Sequence, residues 1–320
     1  MAARDGLQGA AMMDGAPILM VVVLYRTAFE ASKTLAGLTQ AVEEDPTLLH
    51  IFDLLVWDNS PEPLQSATLP ITRLPFSCRY HHATHNEGVA GAYNGAARLA
   101  REQGATWLLL LDHDTSVTGD FLRGMRRHAE EAGGDETIAA IAPFLYAGKH
   151  AGTFVVSPRL WRFARHVALP RPAAAYSERR LIFSANSGTL VRVSALEAIG
   201  GYSSRFWLDY SDIYVFQRFH ERGFGVRIAG DLALEHEVAM LDYDARMSPA
   251  RYATYLAAES DFLDLHRGWA ERLLHLLRLA ARAVRQRRFA DATFSRMTRQ
   301  ELWRRLRTRR RARLQIRDLN

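Results

Sequence analysis

One cysteine in 320 residues cannot make an internal disulfide, so this chain is held by packing and hydrogen bonds alone. A lone Cys78 fits a reducing cytoplasm and reads as a small buried hydrophobe rather than a nucleophile. No apolar run reaches the ~18 residues that a membrane span needs. The longest runs, Ile18 to Tyr25 and Trp107 to Leu111, are strand-sized. Residues 1–16 lack a basic start followed by a long apolar stretch, so they read as a loose leader rather than a secretory signal. No internal repeat is present. No serine stands in a nucleophile-elbow context, which leaves Ser-His-Asp hydrolysis without support.

What is present is an ordinary globular composition, 48% hydrophobic and 24% charged, in a chain long enough for one large α/β domain with an appendage. The charge is divided unevenly. From Arg267 onward 17 arginines oppose four acidic residues, a net +13, so the total of +6 leaves −7 for the preceding chain. The high pI therefore describes the tail, and the body is mildly acidic.

Pro17 to Tyr25 is a continuous β-branched run of the kind buried on both faces of a parallel sheet. A helical pattern follows from Phe29 to about Glu44. Asp53 to Trp57 predicts a second strand ended by the turn-forming Asp58-Asn-Ser-Pro61, and Arg79 to His82 a short third one. Asn86-Glu-Gly88 predicts a turn, Ala90 to Gln103 a small-residue helix, and Trp107 to Leu111 a fourth strand running into Asp112-His-Asp114. The alternation predicts a parallel sheet wound with helices, in which ligands lie beyond the carboxyl ends of the strands. The polar clusters Asp58-Asn59-Ser60, His85-Asn86 and Asp112/Asp114 all fall there. Further on, strands are expected at 138–143, 152–157, 182–184, 189–193, 226–228 and 233–235, with helices at 194–199 and 213–221.

Two carboxylates at i and i+2 past a strand end can reach one hard cation, and Mg²⁺ or Mn²⁺ prefers such oxygen ligands while leaving places for diphosphate oxygens. The plainer reading makes one Asp a helix cap and the other a solvated neighbour. Four buried apolar residues immediately before the pair, in a sheet with other polar strand ends, favour the metal. His113, between them, is assigned no role.

Val21-Val-Val-Leu-Tyr25, Val56-Trp-Asp-Asn-Ser60, His85-Asn-Glu-Gly-Val-Ala90 with Asn94-Gly95, and Leu109-Leu-Leu-Asp-His-Asp-Thr-Ser116 together resemble the successive motifs of family 2 glycosyltransferases with the GT-A fold. Ser184-Ala-Asn-Ser-Gly-Thr-Leu190 and Phe206-Trp-Leu-Asp-Tyr-Ser-Asp212 resemble that family's acceptor-side and catalytic segments, and the closest subset is the bacterial rhamnosyltransferases of surface polysaccharide synthesis. The resemblance implies a Rossmann-like mixed sheet flanked by helices over about residues 17–265, followed by a basic helical tail at 266–320. It places Tyr25, Arg26 and Asp58 near the nucleoside base, with Asn86, Gly88 and Asn94 also on the donor side. Asp112 would approach ribose and metal, Asp114 metal and diphosphate, and His236 would be a further metal or diphosphate ligand. Ser187, Gly188 and Trp207 would lie toward the acceptor. Asp212 falls at the catalytic base, with Asp209 as a second candidate touching the acceptor.

A carboxylate at 212 can take the proton of an attacking sugar hydroxyl. Asp212 can equally be the N-cap of the helix that follows it, and His236 at a strand end can be purely structural. The Arg-Asn pair common in rhamnosyltransferase-like sequences is replaced here by Ala258-Glu-Ser260, and the Gln-x-x-Arg-Trp motif and membrane helices of processive synthases are missing. These features imply a non-processive, inverting enzyme using a nucleotide-diphospho-sugar, plausibly dTDP-rhamnose, and a lipid-linked saccharide in O-antigen-like synthesis. A nucleotidyltransferase would carry a Gly-rich, basic loop after the first strand, which Tyr25-Arg-Thr-Ala is not. An adaptor on the same fold is the remaining rival.

In the tail, Trp269, Leu273, Leu276, Leu277, Ala280 and Val284 recur at helical spacing among arginines, ahead of Arg304-Arg305, Arg307 and Arg309-Arg-Arg311. Three readings are open: a helix packed on the core, a peripheral contact with an anionic membrane at the cytoplasmic face, or nucleic-acid binding. The last is the least supported, for want of a recognised module.

Overall fold

The computed structural model describes residues 18–64, 76–147, 155–162, 165–236, 247–289 and 291–317. The expected leader and the 152–154 part of one strand lie outside them. Four parallel neighbours form the first half of the fold: β1 (Ile18–Leu24), β2 (Phe52–Asp58), β3 (Cys78–His82) and β4 (Trp107–Asp112). They are linked by α1 (Lys33–Glu44) and α2 (Gly88–Glu102).

The chain continues through α3 (Gly119–Glu131), β5 (Ile138–Ala147), β6 (Val155–Ser157), β7 (Arg159–Arg162), β8 (Arg165–Ala168), β9 (Tyr176–Glu178), β10 (Ile182–Phe183), β11 (Leu190–Arg192), α4 (Val193–Ala198), α5 (Ser211–Glu221) and β12 (Gly225–His236). Three helices end it: α6 (Pro249–His266), α7 (Trp269–Arg285) and α8 (Thr293–Arg317). Among the described residues the main sheet runs β3-β2-β1-β4-β11-β5-β12-β9, with β6 beside β5, and a small antiparallel sheet runs β10-β7-β8.

Strand periodicity of two decides which layer each residue joins. Leu19, Val21 and Val23 of β1 face one core with Tyr93, Ala96, Leu196 and Phe216 from α2, α4 and α5. Ile18, Met20, Val22 and Leu24 face the other, with Leu35 and Leu38 of α1 and Phe121 and Met125 of α3. Both faces are covered, which is why β1 and β4 are apolar without alternation. In register, Val23 lies between Trp57 and Asp112, and Leu24 lies beside Asp58. The carboxyl ends of β1, β2 and β4 are thus level.

The structure differs from expectation in several places. Phe29–Ala31 is a separate 3₁₀ turn, because Ser32 caps α1 by accepting from the Leu35 amide at 3.2 Å. The two expected closing strands are one, β12, with an irregularity between Ala229 and Ala233 that keeps both halves on β5. Helices α3 and α6 were not anticipated. Both begin at side-chain caps, Thr118 and Ser248, the latter followed by Pro249.

The expected boundary at 265/266 falls one residue before the end of α6, and packing crosses it. Tyr252 and Leu256 of α6 share a cluster with Leu279 of α7 and Phe294 of α8, while Phe262 of α6 belongs to the main core. Glu259 of α6 holds Arg282 of α7 through two hydrogen bonds of 2.8 and 2.7 Å in a largely buried pair. Removing one member strands the other charge away from water. Glu259→Ala is therefore expected to cost about 3 kcal/mol in urea unfolding, with much of the loss recovered in the double variant Glu259→Ala/Arg282→Met.

Candidate active site

The turn after β4 is fixed by its carbonyls. Ser32 Oγ donates to the His113 carbonyl at 2.9 Å and the Thr34 amide donates to the same oxygen at 3.2 Å. Thr34 Oγ1 donates to the Asp112 carbonyl and, at 3.0 Å, to that of Thr115, while accepting from the Thr115 amide at 3.0 Å. From the other side, Ser187 Oγ accepts from the Asp112 amide at 3.3 Å and lies 2.5 Å from Thr115 Oγ1. The start of α1 and the loop before β11 therefore grip the main chain of Asp112–Thr115. Asp112 and Asp114, both half-buried, are carried by this held turn, and Asp114 Oδ1 is itself buried.

Asp212 approaches from the far half of the fold. It lies in the first turn of α5 and does not cap it: the cap residue is Tyr210, in the left-handed region at φ 65°. That removes the plain capping explanation for Asp212. Its Oδ1 accepts from the Ile213 amide at 2.7 Å. Burial first, then the nearby charges of Asp209 and Asp112, raise its pKa from 3.8 to about 6. The residue as a whole is half-buried.

Two tyrosines tie these carboxylates together. Tyr93 of α2 is buried, its hydroxyl 3.4 Å from Asp112 Oδ1, and its ring lies 5.2 Å from that of Tyr202. Burial and the charges around them, those of Asp112 and Asp212 included, push both phenols well above the usual tyrosine range. Tyr202 donates to Asn186 Oδ1 at 2.9 Å, and Asn186 Nδ2 donates to Ser211 Oγ, beside Asp212, at 3.0 Å. Asp112 and Asp212 thus flank one polar region although 100 residues separate them.

The other sequence candidates take varied places. Asp209 is held bidentate by Arg251 of α6, with Nε to Oδ2 at 2.9 Å and Nη2 to Oδ1 at 2.8 Å, which leaves Asp212 as the carboxylate suited to proton transfer. Asp58 is buried and accepts from the Ser60 amide (2.8 Å), the Leu64 amide (2.8 Å) and the Tyr80 hydroxyl (2.6 Å). Burial works to raise its pKa, but these bonds outweigh it and hold the carboxyl below the ordinary range. Asp58 therefore organises the loop after β2. Tyr25 and Arg26, exposed just past β1, are the groups that present themselves: the guanidinium lies 5.3 Å from the Tyr25 ring centre, and the Arg26 amide donates to Ser60 Oγ at 2.8 Å.

Asn86 Oδ1 accepts from the Gly88 amide at 2.9 Å, starting α2. Gly88 has φ +65°, and a Cβ there would lie 2.1 Å from the Trp207 carbonyl oxygen, which also accepts from the Ala90 amide at 3.1 Å. The start of α2 and Trp207 are thus in backbone contact. Both ends of the Asn94 amide are used on Tyr202, donating to its carbonyl (2.9 Å) and accepting from its amide (2.8 Å), so Asn94 positions Tyr202. Gly188, at φ +79°, joins β4 to β11 by donating to the Leu110 carbonyl at 2.8 Å. The backbone of His236 ends β12, but its side chain lies outside the described residues.

Among the described residues no group of three or more ligating side chains converges on one point. The donor set that is present, Asp112 and Asp114, nevertheless suits a hard divalent cation: two carboxylates on a fixed turn, with the remaining places left for diphosphate and water oxygens.

A sequence-family description, Glycosyl transferase family 2, matches residues 25–173, the stretch that contains the Tyr25-Arg26 loop, α2 and the Asp112–Thr115 turn. The chain carries a family 2 glycosyltransferase domain. No curated protein sequence matches it. Among solved structures, GalNAc-T7 with UDP, GalNAc and Mn²⁺ shares 13% identity at a TM-score of 0.52, covering 77% of this chain and 48% of that one. The transferase therefore spans about half the length of that protein. The S. aureus TarS 1–349 structure covers 89% of this chain and 90% of that one at 10% identity and a TM-score of 0.48. The same TarS segment with UDP-GlcNAc covers 78% and 67% at 12% identity and 0.48. The fold is that of the GT-A nucleotide-diphospho-sugar transferases.

Sequence reading did not single out Ser32, Thr34, Tyr93, Asn186 and Tyr202, which hold or join the carboxylates of this candidate site. Tyr93 carried a signal, being the one bulky ring in an Ala- and Gly-rich helix. The hydroxyl contacts of Ser32 and Thr34, some 80 residues along the chain, carried none. Gly88→Ala should test the join between α2 and Trp207. It is expected to lose about 2–3 kcal/mol of stability in denaturant titrations, against about 1 for Gly104→Ala, where φ is also positive but nothing lies within 4 Å.

Proposed function

We propose that this transferase moves one sugar per encounter from a nucleoside-diphosphate donor to a saccharide hydroxyl, by a single displacement that inverts the anomeric carbon. Residues 17–265 would form the catalytic domain and 266–320 its basic helical extension. The observation that carries the reading is the pairing of Asp112 and Asp114 at the end of β4 with a half-buried Asp212 whose pKa is raised to about 6.

Asp212 accepts the proton of the acceptor hydroxyl as its oxygen attacks the anomeric carbon. The carbon–oxygen bond to the diphosphate breaks with its electron pair going to the leaving group. Asp112 and Asp114, with His236, are the residues that would hold Mg²⁺ or Mn²⁺, which supplies positive charge against the departing diphosphate. Tyr25 and Arg26 are assigned to the nucleoside base, the former as a stacking surface and the latter as its cation. Asp58, Asn86, Gly88 and Asn94 support that side by shaping its loops. Ser187, Gly188 and Trp207 border the acceptor, and Asp209 orders that border through Arg251. No covalent nucleophile is required, which favours inversion.

At the level of substrate, the order of motifs supports dTDP-rhamnose as donor and a lipid-carried saccharide of the O-antigen kind as acceptor, with the enzyme at the cytoplasmic face of the membrane. Among the described residues no helix is long and apolar enough to cross a membrane. At positions 258–260, where related rhamnosyltransferases carry Arg-Asn, Glu259 and Ser260 are used to bind α7 and α8.

Because the Asp212 pKa lies above the ordinary 3.8, the proton is held more firmly in the folded protein. Ionising it opposes folding, so its contribution to stability fades as pH rises from about 4 to about 6. Activity has the opposite sign. With the base protonated below about 6, kcat/KM is expected to fall roughly tenfold per pH unit below that value and to level off above it. Asp212→Asn should bind donor normally, lose roughly 10²–10⁴-fold in transfer and lose this acid limb. An unchanged rate, or an acid limb that persists in the residual activity, would remove Asp212 from the proton transfer.

A further inference from the structure

The positions of α7 that face solvent between 269 and 284 are Trp269, Ala270, Leu273, Leu277, Ala281 and Val284. Their spacing of mostly three and four residues draws one stripe along four turns, and none carries a charge. The contrast lies within the same molecule. On α3 the exposed positions are Asp120, Arg123, Arg127, Glu130 and Glu131, as expected of a helix face made for water.

The stripe is not a core face left open. The opposite side of α7, His275, Leu276, Leu279 and Ala283, is already buried against its neighbours. Trp269 is 76% exposed and Leu277 63%, and Leu265, at the end of α6, adds 53%. Arginines border it: Arg272 and Arg278 are half-buried on α7, and Arg285, Arg287 and Arg288 are exposed where it ends.

We propose that this face of α7 is a docking surface for an anionic lipid bilayer, its apolar stripe entering the acyl boundary and its arginines meeting headgroup phosphates. The proposal rests on the reading of a lipid-carried acceptor for its purpose, though not for its geometry. Charge selects the occupant. Residues 267–320 sum to +13, so a second copy laid face to face would bring like charges together, whereas an anionic surface is complementary to both the stripe and its rim. A nucleic acid would meet the arginines but leave the leucines and valine against water. Seventeen residues of helix, about 25 Å, suit a helix lying in the interface plane.

Docking there also has a consequence for the site. Glu259–Arg282 joins α7 to α6, and α6 is joined to the acceptor segment through Arg251–Asp209 and Arg205–Asp261. The Tyr210 and Tyr255 rings, 5.7 Å apart, add a packed contact beside Asp212. A bilayer held at α7 is therefore linked by fixed side chains to the side of the site assigned to the acceptor.

The test is sedimentation of the full chain with vesicles of phosphatidylcholine alone and of phosphatidylcholine containing about a third phosphatidylglycerol, at low and high salt. Binding is expected to the anionic vesicles, weakened by salt. Leu273→Gln/Leu277→Gln should lower the partition coefficient about tenfold or more, Arg285→Ser/Arg287→Ser/Arg288→Ser should lower it and flatten the salt dependence, and Arg123→Ser should leave it unchanged.

Equal binding of the leucine variant, or no binding by the unaltered chain, overturns the proposal. So does a dimer in light scattering that the leucine variant abolishes, which gives the stripe to a second copy, or an oligonucleotide complex lost in that variant. Donor hydrolysis, which should survive in both multiple variants, reports folding. Vesicle binding without any hydrolysis in the unaltered chain would overturn the transferase reading and leave the docking surface standing.

Discussion

Two carboxylates of like charge share one polar region in this protein, and most of the surrounding structure serves to keep them there. Burial, with the charges of Asp209 and then Asp112 added to it, pushes Asp212 up to about 6, a state that costs free energy. Each carboxylate is held from the backbone. The Asp112 turn is gripped at its carbonyls by Ser32 and Thr34 and at its amide by Ser187. Asp212 follows Tyr210, whose left-handed conformation sets where α5 begins. Asn94, Tyr202 and Asn186 then join α2 to the start of α5, so the two halves of the site cannot drift apart independently.

This arrangement explains why several polar residues at the strand ends do not face the cleft. Asp58 and Asn94 spend their hydrogen bonds on the protein backbone and on Tyr80, and Asp209 is committed to Arg251. Buried polar groups are satisfied wherever the fold allows it, and these three are satisfied by the protein itself.

Much of this was legible in the sequence, and for a physical reason. Strands buried on both faces leave continuous apolar runs, so β1, β2 and β4 and the polar residues at their ends announce themselves, and the level register of Val23, Trp57 and Asp112 follows from a parallel sheet. The long-range hydroxyl contacts were illegible, because a serine at position 32 looks the same whether it caps its own helix or also reaches a carbonyl at position 113. Helix α7 was legible as amphipathic but not as two-sided. Leu276 and Leu277 are adjacent in the same pattern, and only folding decides that the first is inside and the second outside.

The central claim is that Asp112 and Asp114 present a metal-borne diphosphate to a base that belongs to the other half of the fold. The most direct measurement is calorimetric binding of a panel of dTDP-, UDP- and GDP-sugars, with Mn²⁺ and with a chelator, to the unaltered chain, Asp114→Ala and Asp212→Asn. The account predicts that at least one nucleotide-sugar binds the unaltered chain and Asp212→Asn with similar affinity, only when the metal is present, and that Asp114→Ala loses this binding. Equal affinity with and without metal, or undiminished binding by Asp114→Ala, would contradict it.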